Sequence, residues 1–113
     1  MNKFYLTLVK LGLRGDLTGT KYLAYLCEIY DDKFSLQELY TKIAEKFNVS
    51  TIAVERNIRT CIDRSWYTLY HLTIKNILVT FNEHRKPTNK LFIKVIIYLI
   101  SSYYKNNVEA SNE

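Results

Sequence analysis

Glu55, Arg56 and Arg59 stand close together and are of the side-chain types that read the edges of nucleic-acid bases. An arginine can donate two hydrogen bonds to O6 and N7 of guanine, and a glutamate can accept one from N4 of cytosine. Such reading needs these side chains on the outward face of a helix, in the half near its N-terminus that can enter a major groove. Val54, Ile58, Cys61 and Ile62 recur at i, i+4, i+7 and i+8, which predicts a buried stripe on that helix. Ile52, Glu55, Arg56, Arg59 and Asp63 lie away from the stripe. The same pattern also suits a plain surface helix, because Glu55 and Arg59 are four residues apart, at ion-pair spacing. On this face alone the two readings weigh about evenly.

The elements that must position these residues are helical throughout. Ser35 followed by Glu38 is a capping box, in which the hydroxyl accepts from a first-turn N–H and the glutamate reaches back. Leu36, Leu39, Tyr40, Ile43, Ala44 and Phe47 continue as an apolar stripe. Asn48 can take the left-handed conformation that ends a helix, and Val49 is expected to turn its side chain into the core. Ser50 or Thr51 then caps the next helix. Two helices of about 11 and 15 residues joined by so short a turn have the layout of a helix-turn-helix. Before them, Phe4 to Leu13 predicts a short helix ended by Gly12 or Gly15. Lys21 to Tyr30 predicts a second, capped by Thr18 or Thr20. After them, Trp66 and Tyr67 are expected against the core, and a fifth helix over about Leu69 to Phe81. Asn82 to Lys86 is a basic loop, Pro87 bars a helix from running through it, and Thr88 caps a last helix from Asn89 to about Tyr104. The expected fold is all-α: a six-helix bundle whose third and fourth helices form the helix-turn-helix. Residues 1–105 make one domain and 106–113 a polar C-terminal tail.

The charge has a matching bias. The 113 residues carry 16 Lys and Arg against 11 Asp and Glu, a net +5. Residues 1–41 are neutral and residues 95–113 carry −1, so residues 42–94 carry +6. A basic middle on a neutral frame suits an anionic partner, nucleic acid or anionic membrane, or else an ordinary solvated basic surface. With Gly 3 and Pro 1, turn-rich β folds are excluded, and no glycine-rich phosphate loop can be built. Asp63, Ser65 and His71 lack the setting of a catalytic triad, and no His, Cys or carboxylate pairs stand at metal-ligand spacing. Neither an enzyme, a metal, a cofactor nor a small-molecule substrate is expected. Cys27 and Cys61 read as free thiols, and His71 and His84 as surface residues. The ten tyrosines fall mostly on apolar stripes, so core packing is preferred to a stacking platform for single strands. The longest apolar run, Val95 to Ile100, is far short of a membrane span, and Met1 to Leu13, broken by Lys10, does not read as a signal peptide, so a cytoplasmic protein without membrane contact is expected.

Specific residues also match a known family. Residues 43–51, Ile-Ala-Glu-Lys-Phe-Asn-Val-Ser-Thr, and 54–66, Val-Glu-Arg-Asn-Ile-Arg-Thr-Cys-Ile-Asp-Arg-Ser-Trp, resemble the DNA-binding effector domain of the sporulation master response regulator. Lys86-Pro87-Thr88-Asn89 followed by Phe92 and Ile93 resembles the opening of that family's last helix. Leu11-Gly12-Leu13 and residues 19–24 resemble its beginning. The resemblance covers roughly residues 4–100, and it departs at Tyr67 to Tyr70, where the family carries a polar Ser-Arg-Gly-Asn loop.

The resemblance implies a helical double-stranded DNA-binding domain that reads an A·T-flanked operator box, with base contacts from Glu55, Arg56 and Arg59. It implies a head-to-tail homodimer on tandem boxes, with Phe92, Val95, Ile96 and Leu99 of the last helix at the contact. It also implies that the chain starts at the effector domain and lacks a receiver. Ser50 and Thr51 at the helix N-terminus are expected to hold a phosphate, with Lys42, Lys46, Arg64, Lys86 and Lys90 as further phosphate contacts. The alternative is an interaction module or antagonist that makes a heteromeric contact with a full-length regulator through the last helix, without DNA.

Overall fold

Local signals set most of the helix ends. Asn2 accepts from the Phe4 N–H at 2.7 Å and opens α1, Lys3–Leu11. Gly12 closes it at φ 125°, a conformation that favours glycine, and a side chain there would also strike the backbone of Leu69. Helix α2 spans Thr18–Ile29. The expected threonine cap is corrected here: Leu17 is the N-cap and gives no side-chain bond. Thr20 instead turns inward, donating to the Arg14 carbonyl at 2.5 Å and meeting Cys61 Sγ at 3.2 Å. Helix α3, Leu36–Phe47, is capped as expected by Ser35, whose Oγ accepts from the Glu38 N–H at 3.1 Å. Asn48 ends it in the left-handed region at φ 56°. Ser50 caps α4, Thr51–Leu72. Val49 departs from expectation, since its side chain is exposed at the turn rather than buried. Ser35→Ala should cost about 1 kcal/mol. Urea unfolding checks this, and an unchanged midpoint would remove the cap from the account.

The structure is a computed structural model that describes residues 2–76 and 82–111, with the backbone alone for Asn76 and residues 106–111. Its described residues hold five α-helices and no strand, so the all-α class holds and the count of six is corrected. Helix α4 does not stop near Trp66. Tyr67, Thr68, Leu69 and Tyr70 include no Gly, Pro or Asn to break it, and Leu69 extends the buried stripe of Ile62 and Trp66. The expected fifth helix thus dissolves into three parts. Residues 69–72 end α4, Ile74–Asn76 form one 3₁₀ turn, and 77–81 lie outside the described residues. Tyr67 is 65% exposed, not packed in the core as expected. The last helix, α5, spans Asn89–Ser111 and so runs past its expected end near Tyr104.

Helix α4 is the axis of the domain. Val54, Ile58, Cys61, Ile62 and Leu69 are each 0% exposed, so one stripe runs the length of the helix inside the core. Gly19 lets α2 approach it closely, because a Cβ there would collide with the Asn57 carbonyl and the Cys61 side chain. Ser65 Oγ accepts from the Arg14 N–H at 3.1 Å, and Thr73 Oγ1 donates to the Leu11 carbonyl at 2.8 Å. Helix α5 covers the other side. The Tyr104 hydroxyl meets Thr7 Oγ1 at 2.9 Å, and its ring stands edge-on to Phe4.

Candidate nucleic-acid interface

The stripe that buries Val54 and Ile58 turns the opposite side of α4 to solvent. Glu55 and Arg56 are exposed there, and Ile52 is 66% exposed beside them. Neither Glu55 nor Arg56 has a side-chain hydrogen bond or ion pair among the described residues. At the start of α4 the Ser50 Oγ accepts from the Ala53 N–H at 3.0 Å, which leaves the hydroxyl proton free to donate outward. Thr51 follows, partly exposed. The helix N-terminus adds a partial positive charge at this point.

Glu55, Arg56, Arg59 and Thr60 form one wall of an open groove of about 900 Å³. Leu36, Gln37 and Tyr40 of α3 form a second wall, and Thr88, Asn89 and Lys90 at the start of α5 a third. Among the expected phosphate contacts, Lys90 lines this groove. Lys86 does not line it but pairs with Asp63, the partner of Arg59, with Nζ 3.8 Å from Oδ1. The other three lie elsewhere. Lys42 sits over the Phe34 ring at 4.6 Å. Lys46 sits over Tyr25 at 5.7 Å and lines a different cleft, with Asn2, Lys21 and Phe47. Arg64 is exposed on the side of Asp16. The Asp16 carboxyl is held below the ordinary range mainly by its hydrogen bond to Arg14, and Arg64 adds to this by charge.

Arg59 differs from its two neighbours. Its Nε and Nη2 donate to Asp63 Oδ1 at 3.2 and 2.8 Å, and its Nη1 donates to the Pro87 carbonyl at 2.9 Å. A longer contact of 3.4 Å joins Nη1 to Asn89 Oδ1. The Asn89 amide in turn donates to the Tyr40 hydroxyl and the Glu55 carbonyl, both at 3.2 Å. Burial is the main cause that pushes the Tyr40 phenol up from its ordinary pKa. Asn89 and Tyr40 escape a reading by sequence spacing, because their partners come from other helices. The one available signal was the Lys-Pro-Thr-Asn string itself.

The residues expected at a dimer contact are mostly interior. Phe92, Ile96 and Leu99 are buried and Val95 is half-buried, so this stripe faces the domain's own core and not a second copy. Among the described side chains of α5, the exposed large apolar ones are Leu91 and Tyr98. His71 is half-exposed and donates to Glu83 at 2.8 Å, with His84 3.2 Å from the other carboxylate oxygen. The His71 hydrogen bond is the main reason the Glu83 carboxyl lies below its ordinary range. Both cysteines are free, and burial pushes the Cys27 thiol up to about 12, so little nucleophilic thiolate forms at neutral pH. No group of three or more metal-ligating side chains occurs among the described residues, and no helix among them is long and apolar enough to cross a membrane.

Matched against protein families, residues 5–100 fit the model described as Sporulation initiation factor Spo0A C terminal. The match begins within α1, spans α2 to α4 and reaches residue 100 of α5. The family is one of DNA-binding effector domains and not a known family of enzymes. With most of its length matched, and with an exposed polar face on the helix that carries the matching Val-Glu-Arg string, the chain belongs to the Spo0A C-terminal domain family.

Proposed function

We propose that the chain is a sequence-specific, double-stranded DNA-binding regulator of transcription, with α3 and α4 acting as its helix-turn-helix. One observation carries this reading: Glu55 and Arg56 stand exposed and unpaired, among the described residues, in the N-terminal half of α4, on a groove edged by Lys90. In the major groove, Arg56 donates to a guanine edge and Glu55 accepts from a cytosine, inside an A·T-flanked box. Ile52 beside them offers an apolar contact to a thymine methyl. Ser50, Thr51 and the N-terminus of α4 hold one backbone phosphate, and Lys86 and Lys90 hold others. Lys42, Lys46 and Arg64 add to the basic field around the domain rather than to the groove. A second copy on a tandem box meets α5 through Leu91 and Tyr98. The protein acts in the cytoplasm, on the nucleoid.

An electrophoretic shift with a box-containing duplex and a scrambled control tests the reading. The box duplex should shift at lower protein concentration. Its affinity should fall roughly 50-fold between ~50 and ~200 mM salt, as counterions are released from about three phosphates. A flat salt titration would sink the phosphate contacts, and equal shifts of both duplexes would sink the base contacts. If neither duplex shifts and the chain is instead retained by a full-length regulator, the antagonist reading replaces this one. The exposed Leu91 and Tyr98 give that reading its contact face.

A further inference from the structure

Arg59 occupies the third base-reading position, yet its guanidinium, on the outer face of α4, is tied to groups of the domain itself. An arginine has five N–H donors, and reading guanine takes two of them at once. Four are engaged here, on Asp63 Oδ1 twice, on the Pro87 carbonyl and, at a longer distance, on Asn89 Oδ1. A two-bond contact to guanine would therefore break at least one internal tie. Resting on the DNA-binding reading above, we propose that Arg59 is a positioning residue. It clamps the segment entering α5 onto α4 and thereby fixes the groove in which Glu55 and Arg56 read bases.

The geometry around it supports this role. Asn89 continues the clamp by donating to Tyr40 of α3 and to the Glu55 carbonyl of α4, so three helices meet at one amide. The Glu55 carbonyl belongs to a base-reading residue, which links the clamp directly to the reading face. Lys86 shares Asp63 with Arg59 and ties the same segment a second time. Upstream, Trp66 Nε1 donates to the Asn82 carbonyl at 2.9 Å. Residues 82–89 are thus anchored at both ends to α4. Specificity then lies with Glu55 and Arg56, and Arg59 governs how well the frame around them is formed.

Two measurements on the full chain test this, one of them without DNA. Trypsin cuts after the exposed Arg85 and is blocked after Lys86 by Pro87. Arg59→Ala, and separately Arg59→Lys, should speed cleavage at Arg85 several-fold with helix content by circular dichroism unchanged. Adding Asn89→Ala to Arg59→Ala should speed it little further, because both remove one clamp. Unchanged cleavage in Arg59→Lys, or additive effects, would overturn the clamp whether or not DNA binds. The second measurement compares the box duplex with single-pair substitutions of it. Arg59→Ala should weaken binding to every duplex by a similar factor, roughly tenfold, and keep their order. Selective loss of preference at one base pair in Arg59→Ala would make Arg59 a base reader and overturn the proposal. If the unaltered chain shifts no duplex, the DNA-binding reading fails, and trypsin alone still decides the clamp.

Discussion

Arg56→Ala is expected to cost about 1–3 kcal/mol of binding to the box duplex and to abolish the preference at one G·C pair. The side chain is exposed and has no partner among the described residues, so its removal leaves nothing unsatisfied in the free protein. The loss therefore falls on the complex and not on the fold. Lys90→Ala is the control from the same groove. It should weaken binding to all duplexes alike and reduce the slope of log affinity against log salt by ~1. Titration of both variants against the box and its single-pair substitutions separates the two roles. Were Arg56→Ala to keep the order of preference, base reading would have to come from elsewhere on α4.

The largest effect on stability is expected from Trp66→Ala, at about 3–5 kcal/mol. Trp66 is 1% exposed and heads the fully buried side chains by volume. Its removal leaves a cavity in the core and takes one of two donors from the Asn82 carbonyl, which keeps the Arg85 N–H at 3.1 Å. Small domains are stable by about 5–15 kcal/mol in total, so the variant should approach unfolding at ambient temperature. Trp66→Phe keeps most of the apolar volume and loses the indole bond. Because Asn82 is exposed and its carbonyl can turn to water, that change should cost much less, about 1–2 kcal/mol. Denaturant unfolding followed by circular dichroism compares the two. Similar midpoints for both would mean that the hydrogen bond, and not the packing, dominates at this position.

The parts of the fold legible in the sequence were those set by neighbours in the chain. Ser35, Asn48 and Ser50 bracket α3 and open α4 through bonds that span only three or four residues, and the side-chain types announce them. The buried stripe of α4 was legible for the same reason. The end of α4 was not, because the apolar positions from about Leu69 also suit a separate fifth helix, although no breaking residue divides them from α4. Thr18 and Thr20 suggested a threonine cap that α2 does not use, since its N-cap is Leu17. Thr20 finds its partners in Arg14 and Cys61, which only tertiary contact brings near. Arg59 is the plainest case. Periodicity placed it on the outer face, where it is, but its ties to Pro87 and Asn89 span 28 and 30 residues. Phe92, Ile96 and Leu99 show the same limit: a stripe shows that a face is covered, not by what.

The two sides of α4 have one further consequence, for how binding preference can change over time. Ile52, Glu55 and Arg56 lie outside the core, and the residues that hold the domain together lie on the other side of the same helix. Under the proposed base reading, exchanging those three side chains should change the site the domain prefers without altering the scaffold that presents them. Insertion of a single residue into α4 does the reverse, since it rotates everything beyond it by about 100° and moves the stripe out of register with Gly12 and Gly19. Divergence of the target site is therefore open to point substitution and closed to insertion, and a library at positions 52, 55 and 56 is the natural way to redirect this domain.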